Sequence, residues 1–458
     1  MARAPLVTVV GSSFVGLTTA LALAHHGTRC RLLDTDAAKV EAIQGGRAPF
    51  EEPGVQAALK RHLKSGRVTA TASIPDAYRG ATHVMICVGT PPAWDGSQDL
   101  RFIKAVARSV GEEIHGRMRG GYLTAIVKST VIPGTTAGLV RGEIESASGR
   151  RAGRDFGLAA NPEFLREGTA LHDALHPDRV VVGGIDKRSA DEALRLFRWS
   201  KAPVVRTDPT TAEAVKYAAN AFLATKVSFA NEFANYCAEV GVDWYTVADA
   251  IGHDDRIGRK FLNAGVGFGG SCFPKDLKAI TTAARAAGRP LEIAQAALEV
   301  NGRQPTEVTR VLLKELGGLE RKRIALLGLA FKPGTDDVRE SRALSIAAEV
   351  IEGGAEVVGF DPLVKDQFAR ALALQHRANF TRVETIEEAV EGADAVVVQT
   401  EADAFRSLDP RTVKRRARHA LVLDGRRVLD PQRFARAGVD YWGVGVGMVR
   451  SAGGRKRG

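Results

Sequence analysis

Cysteine is scarce in this sequence, and none of it is paired in the ways that bind metal or build redox centres. Four occur in 458 residues: Cys30, Cys87, Cys237 and Cys272. No C-x-x-C is present. A chain this long, 45% hydrophobic, buries its cores without cross-links. The cysteines therefore read as free thiols of a reducing compartment, and no metal site is expected. Cys30, Cys87 and Cys237 lie in apolar or helical runs and are expected in the core. Long apolar runs are also missing. Nothing approaches the roughly 18 uninterrupted apolar residues of a membrane span, which excludes a helical membrane protein. MARAPLVTVVG runs straight into a strand pattern, with no apolar leader core or small-residue cleavage site, so the cytoplasm is the expected location. The net charge is +11. The basic residues are dispersed, except for GGRKRG at the end, which is expected to be disordered. No nucleic-acid motif accompanies them, and a diphosphate ligand itself calls for positive charge. No nucleic-acid partner is expected.

What is present is alternation. LVTVV, CRLLD, HVMICVG, LTAIVKST and RVVVGG read as strands, with helical patterns such as FIKAVARSVGEEI between them. This predicts a parallel, doubly wound sheet over residues 1–205. Residues 206–306 read as a helical domain, led by TTAEAVKYAANAFLATKVSFANEFANYCAEVG. Over 307–458 the alternation returns in RIALLGLAF, SRALSIAAEVIEGGA, EVVGFDP, ADAVVVQT and ALVLDG. The expected fold class is α/β: two Rossmann-like doubly wound domains joined by a central helical domain with a long connecting helix.

One absence sits inside a motif. GSSFVG, residues 11–16, lies between a strand and a helix pattern where a dinucleotide-binding turn has G-x-G-x-x-G. Ser13 replaces the middle glycine, which normally lets backbone approach the pyrophosphate. Its Cβ either displaces the cofactor slightly, or its hydroxyl bonds a phosphate oxygen. Asp34 ends the next strand, about 20 residues on, where a carboxylate bonds the adenosine ribose; the plainer reading is a strand-end cap. Asp34 and Asp36 would both repel a 2′-phosphate, which favours NAD over NADP.

GVGFGGSCFPKDLKAI, residues 265–280, carries the strongest local signal. Its glycines predict a loop permitting close approach to a ligand. Cys272 stands just before a helix start marked by Pro274, where the dipole and free N–H groups favour a thiolate. Lys275 adds positive charge, and Asp276 lies one helical turn on. Lys216 and Asn220 are i,i+4 on one helix, either a solvated face or a ligand-facing pair. In NPEFLREG, Glu163 and Glu167 bracket Phe164 and Leu165. That pattern fits acid–base work or, equally, a helix start.

Together, GSSFVGL, LLDTDAAKV, EEPG, CVGTPP, KSTVIPGT, NPEFLREG, HPDRVVVG, AEAVKYAANAFLA, RIGRKFL, GFGGSCFPKD and FKPGTDDVRES resemble the UDP-glucose/GDP-mannose dehydrogenase family. They do so in order and over nearly the whole chain. NPEFLREG followed by PDRVVVG is similar to the UDP-glucose branch, and Ser13 is the main departure. The resemblance implies oxidation of UDP-glucose at C6 to UDP-glucuronate with two NAD⁺, through a thiohemiacetal and a thioester on Cys272. It implies acid–base roles for Asp276 and Thr130, oxyanion stabilisation by Lys216 and Asn220, and thioester hydrolysis assisted by Glu163. Cofactor contacts would come from Gly11, Ser13, Val15, Gly16, Asp34, Lys39, Thr90, Thr130, Glu167, Lys275 and Arg339. Substrate contacts would come from Glu163, Phe164, Leu165, Arg166, Glu167, Lys216, Asn220, Arg256, the loop Phe261, Leu262, Asn263, Ala264 and Gly265, and from Gly269 and Lys332. Arg256 would reach the substrate of a neighbouring subunit. The helical domain would form a homodimer or larger homo-oligomer, and the last domain would hold the uridine diphosphate. Two alternatives stand beside this reading. One is the same chemistry on dTDP-glucose, GDP-mannose or a UDP-N-acetylhexosamine; the other is a nucleotide-sugar-binding protein without turnover.

Overall fold

Two sheets, each with one face of β-branched residues above and one below, organise the computed structural model. It describes residues 5–117 and 121–451. The expected basic tail and the first four residues lie outside them. The chain divides into two compact units: residues to 219 with 282–288, and residues 220–281 with those from 289 onward.

The first unit holds eight strands: β1 Leu6–Val10, β2 Arg29–Leu33, β3 Val68–Thr71, β4 His83–Ile86, β5 Thr124–Val127, β6 Gly157–Ala160, β7 Val180–Gly184 and β8 Val204–Thr207. Their order is β3-β2-β1-β4-β5-β6-β7-β8. Period-two alternation splits the core. Val7, Val9 and Met85 pack on one face against the helix Phe14–His25. Val84, Ile86 and Val127 pack on the other against Ile103, Ala107 and Val110 of the helix Arg101–Gly116. The order reverses between β1 and β4, the switch point at which ligands bind such sheets. The expected all-parallel sheet needs one correction: β6 and β7 pair antiparallel. Strands β3, β6 and β8 escaped the pattern; GLAA in β6 carries no β-branched residue.

The second unit repeats the plan with β9 Arg323–Leu327, β10 Glu356–Phe360, β11 Phe380–Arg382, β12 Ala395–Val398, β13 Leu421–Asp424, β14 Asp440–Gly443 and β15 Gly447–Val449. The order is β11-β10-β9-β12-β13-β14-β15, antiparallel only at the β14–β15 edge. No described strand lies between β8 and β9, where helices run Pro209–Glu239, Trp244–Gly252, Phe273–Ala286 and Glu292–Leu316. These helical residues are shared between the two units. Trp244 is fully buried and donates its indole N–H to Leu262 O at 2.9 Å, which anchors the loop expected to touch substrate. No helix among the described residues is long and apolar enough to cross a membrane.

Candidate active site

The turn after β1 is built for a dinucleotide, with a different serine inside from the one that broke the motif. Gly11 has φ +93°, a left-handed value that disfavours other residues, and a Cβ on Gly16 would collide with Gly11 O. Ser12 is fully buried, and its N–H and hydroxyl both donate to Asp34 Oδ2, at 2.9 and 2.7 Å. Ser13 is exposed and caps the helix Phe14–His25 by position, with no side-chain capping bond. The first-turn N–H groups, at half-buried Phe14 and Val15, therefore have no side-chain acceptor and suit a diphosphate. These features fit NAD.

Asp34 is held at the end of β2. Besides Ser12 it accepts from Asp36 N–H at 3.1 Å and Lys39 Nζ at 3.2 Å. Partial burial alone would raise its carboxyl, but the bonds from Ser12, Asp36 and Lys39 hold it below the usual carboxylate range. Lys39 Nζ also lies 3.5 Å from Ser13 Oγ. Asp36 instead accepts Ala38 and Lys39 N–H as a helix cap. Asp34 is thus fixed at the strand end where a ribose-binding acid is expected, and Lys39 partly neutralises it.

The strand-end loops after β4 and β5 are tied together. Thr90 Oγ1 donates to Thr130 O at 2.9 Å, and Gln98 Nε2 donates to the same carbonyl at 3.0 Å. Buried Glu213 accepts Gly134 and Thr136 N–H, at 2.6 and 2.8 Å, which clamps the Thr130 loop to the long helix Pro209–Glu239. Burial raises the Glu213 carboxyl even against these bonds. Ser12, Gln98 and Glu213 carried no sequence signal, because their work is done by contacts far along the chain.

NPEFLREG is a loop, not a helix start; the next helix begins at Ala170. Glu163 Oε1 meets Lys216 Nζ at 3.1 Å, with side chains 7% and 5% exposed. Glu163 Oε2 accepts Leu165 N–H at 2.6 Å. Two cations lie over the ring of Phe164: the Arg179 guanidinium 3.7 Å and Lys216 Nζ 5.5 Å from its centre. Glu167 is half-buried. Arg166 is exposed and pairs with Asp173 at 2.6 Å, tying the loop's far side. Buried Glu52, from EEPG, accepts Gly168 and Ala170 N–H, at 2.7 and 2.8 Å.

In the second unit Cys272 sits immediately before the helix Phe273–Ala286, half-exposed, and its carbonyl accepts Asp276 N–H at 2.8 Å. Asp276 is buried, and its carboxylate accepts Asn220 Nδ2 at 2.7 Å and Lys275 Nζ at 2.6 Å. Lys216 and Asn220 are therefore not a solvated face: each is buried and grips an acid. The glycines before Cys272 have an unexpected reason. The loop is held on both sides, with Asn301 bonding both N–H and C=O of Phe268 and Arg426 donating to Gly267 O at 3.2 Å. A Cβ on Gly269 would strike Glu340 O. Their smallness serves close packing of the protein on itself.

Of the expected substrate loop, Phe261 has φ +66°, a strained value for a non-glycine residue. Leu262, Ala264 and Gly265 are buried, and Asn263 is exposed. Lys332 is half-buried, 5.3 Å above the Phe331 ring. Arg339 and Arg256 are exposed and pair with Asp337 and Asp254, two residues from each. Half-buried Arg426 and buried Arg342 were missed by sequence reading. Arg426 was nonetheless legible as the arginine just after the strand end LVLDG.

The geometry at Asp34 generates a cofactor prediction. NAD⁺ should be preferred over NADP⁺ in kcat/KM by more than tenfold, about 1.4 kcal/mol. Lys39→Ala, which unmasks the carboxylate, should widen that preference. A narrower preference in the variant would contradict the assignment of Asp34.

Three segments match the UDP-glucose/GDP-mannose dehydrogenase family: its NAD binding domain over residues 5–200, its central domain over 210–303 and its UDP binding domain over 325–431. The chain is 40% identical to the UDP-glucose 6-dehydrogenase AglM of Haloferax volcanii, covering 95% of this chain and 99% of the relative. It is similar to the solved UDP-glucose dehydrogenase of Pyrobaculum islandicum, with 40% identity, a TM-score of 0.89 and coverage of 97% and 98%. It is also similar to the UDP-D-ManNAc dehydrogenase of Pyrococcus horikoshii, with 30% identity, a TM-score of 0.85 and coverage of 97% and 100%. With a buried Ser12–Asp34 turn, an oxidoreductase's strand-end loops and matches along almost its whole length, the chain belongs to the UDP-glucose/GDP-mannose dehydrogenase family, and NAD is its cofactor.

Proposed function

We propose that the protein oxidises the C6 alcohol of UDP-glucose to a carboxylate, giving UDP-glucuronate, through a covalent adduct on Cys272. The observation that carries this reading is Cys272 at a helix N-terminus, one turn from an Asp276 held by Asn220 and Lys275. Bound NAD⁺ supplies the hydride acceptor for both oxidations. The first oxidation gives the C6 aldehyde. The Cys272 thiolate adds to it, because an unhydrated aldehyde has no C–O electrons with which to expel a second hydride. Lys216 and Asn220 stabilise the resulting oxyanion as a thiohemiacetal. Its oxidation leaves a thioester; water adds, the C–S bond breaks, and the carboxylate and free thiol are released. Asp276 and Thr130 serve the acid–base steps, and Glu163 activates the hydrolytic water.

On this reading residues 1–205 hold NAD, 206–306 form the helical domain, and 307–458 hold the uridine diphosphate. UDP-glucose is favoured over an N-acetylhexosamine nucleotide by the 40% identities to UDP-glucose enzymes, against 30% to the ManNAc enzyme. The homodimer is supported by a stripe on the helix Pro209–Glu239. Phe222, Phe229, Phe233 and Tyr236 recur at helical spacing and are 66%, 43%, 44% and 63% exposed, more apolar surface than a solvated helix face carries.

Among UDP-glucose, dTDP-glucose, GDP-mannose and UDP-N-acetylmannosamine, UDP-glucose should give the highest kcat/KM for NADH formation. A higher value for another sugar would replace the substrate. Cys272→Ala should lose net oxidation by more than about 10³-fold while still binding UDP-glucose in a calorimeter; normal turnover would end the covalent mechanism. Phe233→Arg/Tyr236→Arg should sediment as a monomer, and an unchanged dimer would place the interface elsewhere.

A further inference from the structure

Lys128 is a buried cation to which neither the proposed chemistry nor the apolar core gives a role. It follows β5 and is only 7% exposed. Its ammonium donates to Asn161 Oδ1 at 3.0 Å and lies 5.6 Å above the Phe197 ring. Among the described residues no carboxylate forms an ion pair with it. Asn161 follows β6 and donates its own amide to Val181 O of β7 at 2.8 Å. A hydrogen-bonded chain thus crosses the ends of three strands, including the antiparallel β6–β7 junction, where the sheet's regular ladder changes direction. Two residues beyond Asn161 stands Glu163. Lys128, Asn161 and Glu163 line one cleft.

We propose that Lys128 is a positioning residue for Glu163: through Asn161 it fixes where the chain leaves the sheet, and its charge favours the carboxylate that activates the hydrolytic water. The inference rests on the reading of Glu163 as the base for thioester hydrolysis. Its physical support is the cost of the arrangement. A buried ion kept only for stability can be replaced by an apolar side chain of similar volume, often neutrally or with a gain. A lysine kept without a paired carboxylate beside a catalytic loop is a functional arrangement. Burial pulls its ammonium below the usual lysine range; Cys87 and Glu163 act to keep it charged, and Lys216 opposes that. The other titratable or charged groups facing the cleft are Asp173, His176, Asp178 and Arg179.

The test is stopped-flow NADH formation with UDP-glucose and NAD⁺ in the intact enzyme. In Lys128→Met the NADH burst should survive, steady-state kcat should fall at least about tenfold, and the KM for UDP-glucose should change far less. If Lys128→Met does not melt cooperatively, Lys128→Gln takes its place; it keeps a donor to Asn161 without the charge and should likewise keep the burst and slow the steady state. A folded variant with normal kcat overturns the proposal. So does equal loss of burst and steady state. Glu163→Gln separates this from the underlying reading. If that variant turns over normally, the base assignment itself fails, whereas a slow Glu163→Gln beside a normal Lys128→Met removes only Lys128.

Discussion

Three buried polar side chains along the helix Pro209–Glu239 each fix a separate piece of chain on which the proposed chemistry depends. Glu213, Lys216 and Asn220 stand at i, i+3 and i+7 along Pro209–Glu239, and all three are buried. Each grips a different piece of chain. Glu213 holds the loop bearing Thr130, Lys216 holds Glu163, and Asn220 holds Asp276. Burying such groups is costly, several kcal/mol for each unpaired ion, so each must be satisfied by a partner of fitting charge and geometry. The partner of Lys216 is the most demanding: a carboxylate 3.1 Å away, with almost no water reaching either side chain. Removing one member would leave an uncompensated charge, a loss of about 3–5 kcal/mol for a typical buried pair.

The two sheets show how one backbone plan is adapted to two tasks. Gly11 and Gly328 occupy equivalent turns after β1 and β9, with φ +93° and +95°, and donate to Leu33 O and Phe360 O at 2.8 Å each. Asp34 and Asp361 follow the next strands and each accept backbone N–H groups from those turns. Thereafter they diverge. In the first unit a helix starts at Phe14, three residues after the glycine, so its N-terminus stays close to the turn. In the second, the helix waits until Arg342, and buried Asp361 is filled by N–H bonds from Leu329, Ala330, Leu363 and Val364.

Much of this was legible in the sequence because it depends on local pattern. The β1–β2 and β9–β10 strands, the long helix, the turn at Gly11, and Cys272 at a helix start all follow from period, turn residues and capping. Short strands such as GLAA did not, since their stability comes from neighbours on both sides. Nor did Ser12, Gln98, Glu52, Glu213 and Lys128, whose partners lie between 22 and 118 residues away. The glycine-rich approach to Cys272 was legible as a constraint, but the crowding of Gly269 against Glu340 O was not. The same locality explains Arg339 and Arg256. Each sits in a recognisable motif, yet its guanidinium is engaged two residues away.

The account's central claim is that one set of side chains takes one carbon through two oxidations without releasing it between them. Limiting UDP-glucose, consumed to completion with excess NAD⁺, measures this directly. The account predicts two NADH per sugar and a carboxylate product, with no aldehyde caught by a hydrazine trap. One NADH per sugar, with trapped aldehyde, would contradict it, because Cys272 would then have no covalent step to perform.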